Sequence, residues 1–234
     1  MINYFQQILE VEWLEIQVSA EICEQIPDFK IGVIEYRNIT VGDSPQMVKG
    51  RLQLFQESIF FELEKKQISD IPGIKEWRNI FKKTGKNPNR YRHSAEALFR
   101  RIQKQNYLSS IHSAIDINNF FSLQYQVPIG VYDQDRLKAP IVIRFGKENE
   151  TYNGLNGRTN SLEHLILSSD ENGPFGSPFV DSDKAPVTIH TKNALQIIYL
   201  QPSTEIDAAN KLTKSLMTMF TQIHGGEATY FIVE

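Results

Sequence analysis

Cysteine is nearly missing from this chain: Cys23 is the only one among 234 residues. That excludes a disulfide framework and a cysteine-rich metal site, and it suits a reducing cytoplasm. Long apolar runs are missing too, so no segment approaches the length needed to cross a bilayer. The opening residues, MINYFQQILEVEWLEIQV, lack a basic start followed by an uninterrupted apolar core, so no signal peptide is expected. The five histidines, His93, His112, His164, His190 and His224, have no ligand spacing, and no metal or cofactor is expected. A nucleotide P-loop, the dinucleotide fingerprint and a G-x-S-x-G nucleophile elbow are all absent. Net charge is −3, which alone argues against a general nucleic-acid binder.

What is present is globular. Apolar residues make up 41% of a chain long enough to bury a real core. Charge is unevenly spread. Between Lys75 and Lys104 ten Lys or Arg residues face only Glu76 and Glu96, a local +8 that leaves −11 for the rest. Such a stretch can attract phosphate, or be the solvated surface of a helix and its loop.

Periodicity predicts a strand within 30–41 and a helix carrying Val48, Leu52, Phe55, Ile59 and Leu63. Pro72-Gly73 interrupts, and a short basic helix follows from Ile74 to Lys83. Thr84 to Asn89 is rich in turn formers and is the expected boundary between an N-terminal α/β extension, 1–85, and a main domain, 86–234. Ser94 is expected to cap a helix with Ala95, Leu98, Phe99 and Ile102 inward. A second helix is expected over 113–125, with Ser113 and Asp116 at capping-box spacing. Strands are expected at 129–132, 141–145, 162–167 and within 187–200, with 168–186 as a loop and 154–157 as a turn. Thr204 and Asp207 are expected to cap a last helix, stopped by Gly225-Gly226 before a strand at 228–233. The class expected is α+β.

Two constellations carry possible chemistry. Arg90-Tyr91-Arg92-His93, with Arg100 and Arg101, interleaves cations and an aromatic, a pattern able to pair with phosphates and stack on a base. Ordinary ion pairs between linker and helix are the competing reading, and the stronger one for Arg100 and Arg101. The second is polar: Asp116, Asn118 and Asn119 lie in an otherwise apolar helix, where amides are costly unless hydrogen-bonded. With Asp181, Ser182 and Asp183 they could frame a pocket, or Asp116 could cap a backbone while the amides hold a neighbouring turn. Both readings stand open.

From Tyr91 to Leu200 the chain resembles the tRNA-binding and editing module (B3/B4) of the bacterial phenylalanyl-tRNA synthetase beta subunit, and its small free-standing relatives. The motifs come in order. The relatives' helix Arg-Pro/His-Ser-x-Glu-Ala-Leu-x-Arg-Arg reads RHSAEALFRR here at 92–101. The module's N-x-V-D-V-T-N-Y reads HSAIDINNF at 112–120, P-M-H-A-F-D reads PIGVYD at 128–133, and T-L-D-G reads GLNG at 154–157. A G-S-P-x-x-D-S-D loop of the free-standing type spans 176–183.

The resemblance implies a central, mainly antiparallel sheet flanked by helices. It also implies a pocket bordered by Asn119, Gly130 and the 176–183 loop. The module hydrolyses a mischarged tyrosyl ester on tRNA. Its pocket Thr-Asn pair corresponds to Asn118-Asn119, its editing histidine falls on Gly130, and the nearest match to its tyrosine-selecting glutamate is Gln196. Together with the polar residues read above, the candidate ligand pocket is Asp116, Asn118, Asn119, Gly130, Asp181, Ser182 and Gln196, and the cationic arm supplies Arg90, Arg92, Arg100 and Arg101 as candidates for RNA phosphate. No catalytic residue is implied by the positions kept. The expected function is an RNA-related binding module recognising tRNA or an aminoacyl group. A trans-acting hydrolase of mischarged tRNA and a small-metabolite binder of amino-acid-like ligands are the alternatives. Membrane association is not expected.

Overall fold

A computed structural model describes residues 14–234; the reading of the opening residues as no signal peptide falls largely outside that span. The fold is α+β. Its main sheet is antiparallel throughout, in the order β10 (Glu227–Val233), β2 (Ile31–Arg37), β9 (Ala194–Tyr199), β3 (Ile129–Asp133). A second sheet runs β1 (Ile16–Val18), β4 (Ile141–Phe145), β7 (Ile166–Asp170), β8 (Gly173–Gly176), with only β1 and β4 parallel. A small hairpin joins β5 (Thr151–Asn153) to β6 (Thr159–Ser161) across the turn at 154–157.

Every residue of β9 is buried, so this strand is covered on both faces. Alternation along the pleat then sends its side chains to two different cores. Ala194 and Ile198 join a cluster with Ile34, Tyr36, Val131 and residues of several helices, among them α2 (Gln46–Leu63), α5 (Ser113–Tyr125) and α6 (Ile206–His224). Leu195, Ile197 and Tyr199 join the other, with Val33, Tyr132, Ile143, Ile166 and Phe175, between the two sheets. Trp77 and Ile80 of α3 (Pro72–Lys83), and Ile22 of the short α1 (Ala20–Gln25), close that second core.

The expected helices form with small corrections at their ends. Pro72 does not interrupt: it opens α3 at the first turn, where its missing N–H costs nothing. The helix α4 spans Ser94–Gln103, and the cap is His93, whose ring accepts from the Glu96 N–H, in place of Ser94. Glu205, in place of Thr204, stands at the N-cap of α6. Ser113 and Asp116 form no capping box. Asp116 turns back to accept from Ile111 N at 3.0 Å, from Ser44 Oγ at 2.6 Å and from Ser110 Oγ, tying the starts of α2 and α5 together. The expected loop at 168–186 contains the end of β7 and all of β8, and the strand expected within 187–200 is confined to 194–199.

Residues before and after position 85 share both sheets. Interior β2 is hydrogen-bonded to β9 on one side and β10 on the other, and β1 pairs with β4. Thr84 is buried, and Arg78 holds the 84–89 turn through Pro88 O at 3.0 Å and Asn89 Oδ1 at 2.7 Å. Residues 86–234 expressed alone lose an interior strand and leave both cores open, so that fragment is expected to stay unfolded by far-UV circular dichroism. A cooperative unfolding transition in the fragment would show instead that residues 1–85 are a separable extension.

Candidate functional site

The pleat that divides the core also divides the residues expected to share one pocket. Asn118 and Gln196 lie on the helical face of the main sheet. Gln196 is fully buried; its amide N–H donates to Asn118 Oδ1 at 2.9 Å, and its carbonyl accepts from the Tyr36 hydroxyl at 2.8 Å. Asn118 in turn donates to the backbone carbonyl of Ile129 at 2.9 Å. Burial pushes the Tyr36 phenol far above its usual range, so it remains a neutral donor. The amides are thus engaged with protein groups, as buried polar groups must be. Asn119, half-buried beside them, makes no side-chain hydrogen bond to any described residue.

On this same face His224 closes the end of α6. Its ring sits between Phe220 O and Ser113 Oγ, each at 2.8 Å. Burial lowers its pKa to about 4, so the imidazole is neutral at physiological pH.

Gly130, Asp181 and Ser182 lie on the other side, between the sheets, and the side chain that organises them is one the motifs did not single out. Tyr132 sits two residues beyond Gly130 on β3, hence on the same face. Its phenol fills the space over Gly130 and Gly176: a Cβ on either glycine would land on the Tyr132 hydroxyl. That hydroxyl donates to Asp181 Oδ1 at 2.7 Å, and the ring meets Phe175 nearly edge-on, with centroids 4.8 Å apart. Asp181 also accepts from Ser177 N at 3.3 Å. Burial pushes its carboxyl up to about 6, against the pull of both donors.

Two further tyrosines complete the cluster. Tyr199 bonds Ser168 Oγ at 2.7 Å, while Tyr152 bonds Ser177 Oγ at 3.0 Å and also Val180 O. Burial raises all three phenols, and the Asp181 charge adds to the effect. Ser177 ties the 176–183 loop to itself through Val180 O at 2.8 Å. Ser182, buried, accepts from Lys184 N at 3.1 Å. The ligand set expected as one pocket therefore lies on two sides of the main sheet. Asp116 and Asn118 hold backbone groups and Gln196 joins Asn118 to Tyr36, whereas Asp181 and Ser182 border a tyrosine-filled space over Gly130.

The basic arm also divides. Glu96, fully buried, accepts from Arg78 Nη1 at 2.9 Å and from Arg100 Nη2 at 2.8 Å, with Arg92 Nε at 4.0 Å. Arg100 thus takes the ion-pair reading. Arg90 and Arg101 are exposed, as are Lys75, Lys82, Lys83 and Lys104. Tyr91 packs on Phe179 of the 176–183 loop, ring centroids 5.4 Å apart, under the Lys86 ammonium. His93, buried against Trp77, has its pKa lowered to about 3 by burial and by Arg78. Among the described residues no group of three or more His, Cys, Asp or Glu side chains is placed to hold a metal ion, and no helix is long and apolar enough to cross a membrane.

The period-two spacing of Gly130 and Tyr132 was a usable signal for the filled space. The resemblance set the 176–183 loop beside Gly130, where Tyr132 meets Gly130, Gly176 and Asp181; it gave no sign that Asn118 and Gln196 lie on the opposite face.

Comparison with known proteins places these features. The sequence profile of the B3/4 domain matches residues 76–220. The YhzB protein of Bacillus subtilis is 38% identical over 216 residues, covering 92% of this chain and 98% of that one. The phenylalanine–tRNA ligase beta subunit of Paramagnetospirillum magneticum is 40% identical over 68 residues, and that of Bifidobacterium longum 34% over 93. The matched parts are 8% and 10% of those two subunits. Among solved structures, an N-terminal fragment of the phenylalanyl-tRNA synthetase beta subunit from Pyrococcus horikoshii aligns with a TM-score of 0.48 and 14% identity, covering 95% of this chain and 55% of that one.

The Asp181 carboxyl gives a pH test. Its folded pKa, about 6, lies above the ordinary 3.8, so the fold favours the protonated form. The stability this contributes is complete below about pH 4 and is lost as pH rises through 6. Asp181→Asn keeps an acceptor for Tyr132 but cannot ionise. Its melting temperature relative to the wild type is expected to climb between pH 4 and 7, then level off. A difference that stays flat across that range would place the carboxyl in an ordinary solvated setting.

Proposed function

The chain belongs to the B3/4 domain family, and from that premise we propose that it is an RNA-related binding module that recognises tRNA through its phosphates. One observation carries the reading. In the 75–104 stretch neither acid stands alone: Glu96 is buried among arginines, and Glu76, half-buried, is bonded to Ser203. The exposed cations Lys75, Lys82, Lys83, Arg90, Arg101 and Lys104 make no ion pair with any described residue, while Arg92 reaches Glu96 only at 4.0 Å. A protein of net charge −3 thereby offers a local surface that attracts a polyanion. The ligase relatives supply the class of polyanion, since those enzymes are named for joining phenylalanine to tRNA.

Ester hydrolysis is the second reading, and Asp181 favours it: a carboxyl with a pKa near 6 can act as a base close to neutrality. Against it stands the ring of Tyr132, which fills the space over Gly130. A substrate could enter only if that ring moved.

One panel of charged tRNAs separates the two. The binding reading predicts an affinity that falls with salt, with a log–log slope of about −0.7 to −0.9 per phosphate contact. Reversing Lys82, Lys83, Arg90 and Arg92 to glutamate should weaken binding at least ten-fold and flatten that slope, with no amino acid released. Absence of binding at low salt would end this reading. Release of an amino acid, abolished by Asp181→Asn, would establish the hydrolase instead.

A further inference from the structure

The outer face of α2 has no use within the described fold. Met47, Leu54 and Phe61 recur there every seven residues and are 62%, 68% and 63% exposed. Seven residues are close to two turns, so the three side chains form one stripe along the helix. Gly50 and Ser58, both exposed, occupy the positions between them. The order Met47, Gly50, Leu54, Ser58, Phe61 has steps of three, four, four and three, so it reads the same in either direction from Leu54.

Gly50 needs an explanation of its own. It lies inside an 18-residue helix, where glycine weakens helical structure. A Cβ added there would meet nothing within 4 Å among the described residues, so no contact between them requires its absence. Small residues at such positions let a second helix approach closely. The charges are arranged to match. Arg51 stands in the N-terminal half of the helix, and Glu57 and Glu62 in the C-terminal half. Side by side in parallel, two copies would set like charges level with each other. In antiparallel, the basic half of each meets the acidic half of the other.

We infer that this stripe is a self-complementary interface, on which a second copy of the chain packs its own α2 antiparallel about a two-fold axis at Leu54. Such an arrangement is the ordinary closed symmetry of a homodimer: each surface patch meets itself, with Met47 towards the partner's Phe61 and Gly50 towards the partner's Ser58. Small residues meet small ones near the centre, and larger apolar side chains close both ends. Tyr107, 40% exposed and edge-on to Phe60 at 6.5 Å, extends the apolar surface beside Phe61.

Sedimentation equilibrium of the full chain tests the interface. A dimer is expected, and Leu54→Glu should weaken it at least a hundred-fold while leaving the far-UV circular dichroism of the folded chain unchanged. In a Cys23→Ser background, Leu54→Cys should form a disulfide-linked dimer on oxidation, because position 54 faces its own copy. Arg51→Glu should weaken the dimer at least five-fold, and adding Glu57→Arg with Glu62→Arg should restore it. A chain that remains monomeric at all concentrations overturns the proposal. So does a dimer that is indifferent to Leu54→Glu. Crosslinking without charge-swap rescue overturns the antiparallel arrangement.

Discussion

The amide of Gln196 lies in the middle of a strand covered on both faces, out of reach of bulk solvent. A buried amide without partners costs about 1–3 kcal/mol, so the surrounding elements must come to it. Tyr36 reaches it from β2 and Asn118 from α5, and Asn118 passes the chain of bonds on to the β3 backbone at Ile129. One side chain thereby ties three strands to a helix. Slipping β9 by one residue would send Gln196 into the apolar space beside Val33, Ile143 and Phe175, stranding its amide and both of its partners at once. The polar residues that look extravagant in helix α5 are the reason the register is unique.

That same register explains why the chemistry on the two faces is unrelated. Asn118 and Gln196 are spent on the helical side, so the space between the sheets has to be organised by other groups. There the two glycines, Gly130 and Gly176, give up side chains to admit the ring of Tyr132. The ring delivers its hydroxyl to Asp181, which would otherwise be a carboxylate short of donors among three phenols. Glycine here is a packing decision: the room it leaves is used by the chain itself.

Local periodicity was enough to find α5 at its true bounds, the inward stripe of α2, and the strands around Ile34, Val131 and Ile143. These elements state their burial in three- and four-residue or two-residue spacing. The 168–186 segment hid two strand edges because Gly173, Pro174 and Gly176 read as loop, and because the pairing that makes β8 a strand is with β7. Pairing is a tertiary fact. So is the side of the sheet on which a loop packs: the motif residues at 176–183 were legible, but their separation from Asn118 and Gln196 depends on β3 and β9 being neighbours. Asp116 was legible as an acid at a helix start, yet its bonds to Ser44 and Ser110 depend on where α2 begins in space.

The ion cluster around Glu96 shows how the interior shapes the surface. A lone buried carboxylate would be untenable, and three arginines gather on it. Their gathering removes the one acid that could have neutralised α4 from outside. The cations that remain exposed are therefore a by-product of core electrostatics as much as a separate feature. Helix α4 also packs on α2, whose outer stripe faces away from the core. Two copies joined through that stripe would hold two such cationic segments in one particle. A polyanion long enough to touch both would then meet the second at an effective concentration set by the dimer rather than by the solution. Weak phosphate contacts, each screened within about 8–10 Å at ordinary salt, gain most from that kind of pairing.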